Sequence, residues 1–282
     1  MYREYHLKDK SSKLLDLSRN VVYDKNFSID YPDELKLYKL ISNHYKLDIN
    51  QIAIGLGSSE VLQRLLNYFL CEYVYIIQPA FKLVEAYCKV KNIRYSNITK
   101  IEKCDMTGKV VYIANPNGNN GIKYSKELLD RVLNESKACI IDEAYIEYSN
   151  AYSLLNKKHS NVIVLRSFSK SLGLAGLRCG FAHTYNGKII EYLQENRPQY
   201  VTTSETVNKI EKLLPKLNEH IERMLETKKY LESKYEHTES NGNYVLLNKK
   251  YESLINGKFL YKIINNNLRI SLCNIDIIKK WL

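Results

Sequence analysis

The sequence predicts an α/β protein with a mostly parallel sheet, followed by a smaller domain that mixes helices and strands. Two observations support this prediction. Short apolar runs typical of buried strands alternate with helical segments. Polar and glycine-containing segments follow these runs directly, at the place where open α/β sheets bind ligands. The 282 residues suffice for both domains. We predict an N-terminal arm at residues 1–30, a large domain at 31–195 and a small C-terminal domain at 196–282.

The composition predicts a globular protein of the cytoplasm. Hydrophobic residues make up 45% of the chain and charged residues 26%. No apolar run approaches the roughly 18 residues that a membrane-spanning helix needs, and the first residues lack the apolar region of a signal peptide. The six cysteines form no CxxC pair, and the six histidines show no metal-ligand spacing. We therefore expect free thiols in a reducing compartment, no membrane association and no metal site.

The formal net charge of +11 has two interpretations. It could attract nucleic acid or anionic substrates. It could also reflect a composition rich in lysine, since the lysines mostly alternate with glutamates on helical segments instead of forming one basic block. We favour the second interpretation and expect no nucleic-acid partner. Attraction of phosphorylated substrates is compatible with both.

The first strand and helix of the large domain indicate an anion site. Residues 31–34 place a proline and two acids at the start of a helix, as helix N-termini prefer. The next predicted strand, residues 51–55, leads through Gly57, Ser58 and Ser59 into a helical run. A Gly-Ser-Ser turn that enters a helix offers free backbone N–H groups, two hydroxyls and the positive end of the helix dipole. The alternative interpretation is an ordinary capping box.

Three further predicted strands end in polar or aromatic residues. Residues 73–77 precede Phe81, residues 109–114 precede Asn115, and residues 138–141 precede Asp142. Phe81 alone would be read as a core residue and Asn115 as part of a loop. Asp142 is more informative, because an acid that closes an apolar strand is costly to bury unless a partner pairs with it.

The segment after the predicted strand 162–165 carries the most chemistry. Ser167, Ser169, Lys170 and Arg178 form a compact set of donors. The arginine and the serines suit a phosphate, and Lys170 suits attack on a carbonyl carbon as an amine nucleophile. Taken alone, the segment is more often a solvated loop with a helix-capping serine.

The C-terminal region alternates helices and strands. We predict helices at 187–195, at 204–235 with an interruption at Pro215, and at 275–282, and strands at 244–247 and 268–272. Arg269 lies on the last predicted strand. On its own it would be a surface charge.

In this order, the motifs resemble those of the pyridoxal-phosphate-dependent aminotransferases of fold type I (class I/II). The resemblance is strongest to histidinol-phosphate aminotransferase, with threonine-phosphate decarboxylase as a close relative. It covers residues 31–183, and residues 243–272 more weakly. It implies a three-layer α/β/α large domain, a small α+β domain, the cofactor pyridoxal 5'-phosphate and a homodimer.

The resemblance also implies roles for residues. Lys170 would bind the cofactor as a Schiff base, Asp142 would pair with the ring nitrogen, and Tyr145 would contact the phenolic oxygen. Phe81 would stack on the ring. The phosphate would be held by Gly57, Ser58, Ser59, Ser167, Ser169 and Arg178, and by Tyr31 of the partner subunit.

Four assignments are less direct. Asn115 is our preferred match to the family asparagine that contacts the phenolic oxygen, with Asn117 as the fallback, whereas an ungapped match to a longer family motif places Gly118 there. Arg269 would bind the substrate carboxylate or its equivalent. Relatives carry a substrate-binding element in the arm, and Asn20 is the one residue of this element that the present chain retains. Lys262 stands near the position of a second substrate-binding arginine in relatives.

We expect an aminotransferase that moves an amino group between a small, phosphorylated amine or amino acid and a 2-oxo acid. One alternative is a decarboxylase of an amino-acid O-phosphate. The other is a catalytically idle homologue that serves as a binding module, an idea suggested by the short small domain and the altered arm.

Overall fold

The computed structural model describes residues 31–281. The predicted arm, with Asn20, lies outside the described residues. The first part of the described chain contains seven strands and six α-helices. The strands are β1 (Ile52–Leu56), β2 (Tyr73–Ile77), β3 (Arg94–Ile98), β4 (Val110–Ala114), β5 (Ala138–Asp142), β6 (Val162–Ser167) and β7 (Cys179–His183). The helices are α1 (Glu34–Tyr45), α2 (Ser58–Tyr68), α3 (Lys82–Val90), α4 (Lys126–Glu135), α5 (Phe168–Ser171) and α6 (Gly187–Glu195).

The seven strands form one sheet in the order β1-β7-β6-β5-β4-β2-β3. β7 is antiparallel to both of its neighbours, and the remaining pairs are parallel. All strands except β7 therefore end at the same edge of the sheet, and β7 begins there. The residues that follow β1 to β6 and the residue that precedes β7 therefore lie at this edge.

Helices cover both faces of this sheet because its strands are apolar on both faces. Along β4, Val111 and Ile113 face one cluster of buried side chains, and Val110 and Tyr112 face the other. The first cluster includes residues of α1 and α4, and the second includes residues of α2, α3 and α6. The large unit is thus a three-layer α/β/α structure.

The second sheet is smaller and antiparallel, with the strand order β10-β11-β9-β8. Its core contains Leu231, Val245 and Leu268. The elements of this part of the chain are α7 (Ser204–Leu213), α8 (Leu217–Lys234), β8 (His237–Thr238), β9 (Tyr244–Asn248), α9 (Glu252–Ile255), β10 (Lys262–Ile264), β11 (Asn267–Ser271) and α10 (Ile275–Trp281).

The predicted fold class is confirmed: a mostly parallel sheet between helices, with a small antiparallel sheet after it. Two strands of the large sheet, β3 and β7, were not predicted. The domain division after residue 195 stays a prediction, and α7 contributes Val207 and Ile210 to the core of the large sheet. No helix among residues 31–281 is long and apolar enough to cross a membrane.

Candidate active site

Apart from Tyr31, the predicted cofactor-binding residues lie on segments that meet at one edge of the large sheet. Gly57 follows β1, Asn115 follows β4, and Asp142 closes β5. Lys170 lies just after β6. Arg178 immediately precedes β7, and because β7 runs in the opposite direction, its first residue lies at the edge where the others end. This edge is where open α/β sheets place ligands.

The turn between β1 and α2 forms a cup for an anion. Gly57 has φ 79°, a left-handed conformation that glycine adopts without strain, and Ser58 and Ser59 open α2. The Arg178 guanidinium donates hydrogen bonds to the Ser59 hydroxyl (3.1 Å) and the Ser169 hydroxyl (3.4 Å). A Cβ atom on Gly57 would lie 2.6 Å from the Arg178 Nη2 atom. The cup therefore combines a guanidinium, hydroxyls and a helix N-terminus, which suits a phosphate.

Lys170 lies in the single turn of α5, beside the cup. Ser167 caps this turn, since its hydroxyl accepts a hydrogen bond from the Ser169 backbone N–H at 3.2 Å. The Tyr148 hydroxyl donates to the Lys170 backbone carbonyl at 2.8 Å. The Lys170 ammonium lies 5.7 Å from the centroid of the Tyr145 ring. Lys170 is thus held between the cup and Tyr145.

A buried cluster of charged side chains lies next to the segment that carries Lys170. Arg166, on β6, lies 2.8 Å from the carboxylates of both Glu143 and Glu147. Glu143 is fully buried and also accepts from the Ser153 hydroxyl and from the Leu154 backbone N–H. The cluster ties β6 to the segment after β5, and so fixes Lys170 relative to Asp142. This cluster was not predicted from the sequence.

Asp142 has one donor on each carboxylate oxygen. The Tyr112 hydroxyl donates to Oδ2 at 2.9 Å, and the Ala144 backbone N–H donates to Oδ1 at 3.1 Å. Burial raises the pKa of the Asp142 carboxyl, while both hydrogen bonds and the Lys170 charge oppose that shift. A cation placed against the remaining lone pairs would favour the ionised form further. The role of Tyr112 was not predicted, although a tyrosine inside a buried strand indicates a hydroxyl that needs a partner.

The asparagine-rich loop after β4 uses its amides on backbone groups. Asn115 is fully buried; its Nδ2 donates to the Tyr152 carbonyl and its Oδ1 accepts from the Tyr124 N–H. Gly118, in contrast, lies against Tyr145, and a Cβ atom there would lie 2.3 Å from the Tyr145 ring. This geometry favours a framework role for Asn115 over our preferred assignment. Gly118 lies beside Tyr145, and which residue stands in the place of the family asparagine stays a prediction.

Asn117, the fallback, has a similar framework role. It is 1% exposed, and its Nδ2 donates to the Pro79 carbonyl at 2.6 Å. Asn119 donates to the Ala80 carbonyl at 2.8 Å. These two bonds hold the turn that carries Phe81, whose side chain is 48% exposed. A large aromatic ring left half-exposed at this edge can stack on a flat ligand.

Arg269 stacks on a buried tyrosine. Its guanidinium carbon lies 3.9 Å from the centroid of the Tyr244 ring, and Tyr244 is fully buried. The Tyr244 hydroxyl reaches the Asn117 carbonyl at 3.5 Å, which joins the small sheet to the loop beside Tyr145. Lys262 on β10 pairs in register with Arg269 on β11. No pattern in the sequence predicts the contact with Tyr244, because this contact joins distant segments.

Tyr31 is the first described residue, and its ring stacks on Tyr200 with the centroids 4.6 Å apart. It is 38% exposed. Its predicted role belongs to a neighbouring subunit and stays a prediction. Within the described chain, no group of three or more His, Cys, Asp and Glu side chains could hold a metal ion.

The donor set of this edge fits pyridoxal 5'-phosphate. The cup around Arg178 suits the phosphate, the Lys170 amine suits the aldehyde, and the Asp142 carboxylate suits the protonated ring nitrogen. The two glycines also contribute because they lack a side chain: a Cβ atom on Gly57 would clash with Arg178, and one on Gly118 would clash with Tyr145. The same residues therefore match the three functional groups of the cofactor.

The chain matches the family model for class I and II aminotransferases over residues 37–276. It is 31% identical over 190 residues to histidinol-phosphate aminotransferase of Pyrococcus furiosus, covering 63% of this chain and 56% of that protein. It is 26% identical over 247 residues to histidinol-phosphate aminotransferase 2 of Archaeoglobus fulgidus, covering 80% and 72%. The first of these alignments thus spans little more than half of the relative.

Solved structures share the fold. Histidinol-phosphate aminotransferase of Sinorhizobium meliloti, in complex with pyridoxal-5'-phosphate, aligns with a TM-score of 0.72 at 18% identity, over 90% of this chain and 81% of that one. L-threonine-O-3-phosphate decarboxylase of Porphyromonas gingivalis aligns with a TM-score of 0.69 at 16% identity, over 90% of both chains. With the family match over most of its length, the chain belongs to the class I and II aminotransferases, a family of pyridoxal 5'-phosphate-dependent enzymes.

Proposed function

We propose that this protein is an aminotransferase that moves an amino group between a small, phosphorylated amine or amino acid and a 2-oxo acid. The observation that carries the proposal is the convergence of Lys170, Asp142 and the cup of Arg178 at one sheet edge. An amine, a carboxylate and an anion cup in this arrangement serve cofactor-dependent amine chemistry. The named relatives support the histidinol-phosphate aminotransferase type.

When bound, pyridoxal 5'-phosphate supplies a ring that accepts the electron pair released at the substrate α carbon. The residues of the chain bind the cofactor and orient it. Arg178, Ser58 and Ser59 bind the phosphate, and the Asp142 carboxylate holds the proton on the ring nitrogen. The Lys170 amine would act as the general base that takes the proton from the substrate α carbon and, once protonated, as the general acid that gives a proton back. Tyr145 donates a hydrogen bond to the phenolic oxygen.

The small sheet supplies the cations for the substrate. Arg269 and Lys262 lie opposite each other in an antiparallel pair, so both side chains start from the same face of the sheet. Arg269 is half-buried against Tyr244, and Lys262 is exposed. We assign Arg269 to the substrate carboxylate or its equivalent and Lys262 to a phosphate farther out. Lysine suits this second role as a mobile point charge.

We further propose a two-fold homodimer in which Tyr31 of each subunit contacts the cofactor phosphate of the other. The half-exposed ring of Tyr31, just before α1, supports this assignment. Light scattering on the purified protein should give the mass of a dimer. A monomer with full turnover would exclude the shared site.

The proposed activity is tested by two half reactions on the cofactor-loaded protein. Phosphorylated amines and amino acids, including histidinol phosphate and threonine phosphate, are added singly, and the cofactor absorbance is followed. An aminotransferase converts the amine to a carbonyl product, and a 2-oxo acid such as 2-oxoglutarate then restores the spectrum. Release of CO2 with retention of the amine would instead indicate the decarboxylase. A spectrum that no amine alters would indicate an idle homologue.

A further inference from the structure

Tyr112 contacts the carboxylate of Asp142 from the neighbouring strand. Tyr112 is fully buried on β4, and its Oη donates to Asp142 Oδ2 at 2.9 Å. The Ala144 backbone N–H occupies the other oxygen, Oδ1. Each carboxylate oxygen thus has one donor from the protein, and the orientation of the carboxylate is fixed.

The strand register forces this contact. β4 and β5 are parallel, with Ala114 paired to Asp142. Tyr112 lies two residues before Ala114, so it projects from the same face of the sheet as Asp142. The Tyr112 ring packs in the cluster formed with α2, α3 and α6. Because close packing surrounds the ring, the hydroxyl has no alternative position.

We propose that Tyr112 is a positioning residue that keeps the Asp142 carboxylate ionised and turned toward the ring nitrogen of the cofactor. This inference rests on the function proposed above. Tyr112 touches neither substrate nor cofactor in this account, and it acts through Asp142 alone.

The electrostatics of the pair agree with this role. Burial raises the pKa of the Asp142 carboxyl, Glu143 adds to that shift, and the hydrogen bond from Tyr112 opposes it, together with the Ala144 N–H and the Lys170 charge. Burial and the Asp142 charge raise the pKa of the Tyr112 phenol well above its ordinary value, with Tyr145 contributing. The phenol therefore stays protonated and remains a donor. Without it, Asp142 would accept a proton more easily and lose its hold on a protonated ring nitrogen.

The test compares Tyr112→Phe with Tyr38→Phe in the full chain. Tyr38 is a matched control, since it is 3% exposed and its hydroxyl bonds to Gln194 and to the Ile54 amide. The dissociation constant of pyridoxal 5'-phosphate is measured at neutral pH for both variants. We expect it to rise about tenfold in Tyr112→Phe, as loss of a hydrogen bond to a charged group implies. In Tyr38→Phe it should stay within about twofold of wild type.

A second measurement shows whether the effect passes through Asp142. In an Asp142→Asn background, adding Tyr112→Phe should change the dissociation constant less than about twofold, because the charge that Tyr112 stabilises is absent. Carboxyl ¹³C NMR of the cofactor-free full chain should show Asp142 titrating at higher pH in Tyr112→Phe than in wild type.

Two results would overturn the inference: equal weakening by Tyr112→Phe and Tyr38→Phe, or an undiminished effect of Tyr112→Phe beside Asp142→Asn. A wild-type protein that binds no pyridoxal 5'-phosphate would instead count against the proposed function. In that case the carboxyl titration still decides whether Tyr112 controls Asp142, and an unmoved titration would refute the inference.

Discussion

The guanidinium of Arg269 lies over the ring of Tyr244, and its central carbon is 3.9 Å from the ring centroid. Tyr244 is fully buried, so the ring is a fixed platform. Its hydroxyl reaches the Asn117 carbonyl of the loop beside Tyr145. The position of Arg269, which we propose binds the substrate, is therefore set by a residue of the protein core, and this residue is linked to the large sheet.

This contact predicts a specific pattern of kinetics. Tyr244→Leu removes the platform and should raise the KM for the amine substrate about tenfold, in line with a desolvated cation–π contact. Tyr244→Phe keeps the ring and should change KM less than about threefold. Steady-state kinetics on both variants provide the check. Equal KM values for the leucine and phenylalanine variants would show that the ring does not position Arg269.

The close approach of Gly118 to Tyr145 predicts a steric effect. In Gly118→Ala the new Cβ atom would lie 2.3 Å from the Tyr145 ring, so the ring must move. We expect a loss of about 1–3 kcal/mol in the free energy of unfolding and weaker cofactor binding. Gly187→Ala is the control, because a Cβ atom there meets nothing within 4 Å. Denaturant unfolding of the two variants measures the difference, and equal stability would contradict the geometry.

Arg178 is predicted to act on the cofactor phosphate alone. Arg178→Gln removes the charge that bridges Ser59 and Ser169, and it should weaken binding of pyridoxal 5'-phosphate about 10- to 100-fold. Binding of pyridoxal, which lacks the phosphate, should change little. Arg223→Gln, at an exposed ion pair with Glu219, is the control. If the variant weakens both ligands equally, the cup has another role.

His183 predicts how stability depends on pH. Burial lowers the pKa of His183 to about 4 from its usual 6.5. Between these values the unfolded chain takes up a proton that folded His183 does not, so stability is lost as the pH falls through this window. The loss due to His183 should reach about 2–3 kcal/mol. A His183→Asn variant should lose less stability than wild type from pH 6.5 to pH 4, and parallel curves would refute the assignment.

The sequence was sufficient for the strands whose apolar runs are continuous. Val110–Ala114 and Val162–Ser167 are buried on both faces, and the continuous apolar runs of such strands predict them from the sequence. Arg94–Ile98, by contrast, is an edge strand with mixed polarity. Cys179–His183 begins in a glycine-containing segment, and glycines favour turns and loops over strands. Neither strand carries the pattern on which the prediction relied.

The residues predicted at the site come from strand ends, and strand ends can be read from sequence. The partners of those residues cannot. The Tyr112 contact depends on the register between β4 and β5. The Asn115 amide is used by the backbone of Tyr124 and Tyr152, and a motif gives no information on such bonds. Side-chain identity therefore predicted the chemistry, and only the tertiary structure showed that the amides of Asn115 and Asn117 are already engaged with backbone groups.

The most direct test of this account is the attachment point of the cofactor. The purified protein is loaded with pyridoxal 5'-phosphate, reduced with borohydride, digested and mapped by mass spectrometry. We predict that the label lies on Lys170 and that Lys170→Ala is unlabelled although it still binds the cofactor. A label on any other lysine, or an undiminished label in Lys170→Ala, would contradict the assignment of this sheet edge as the active site.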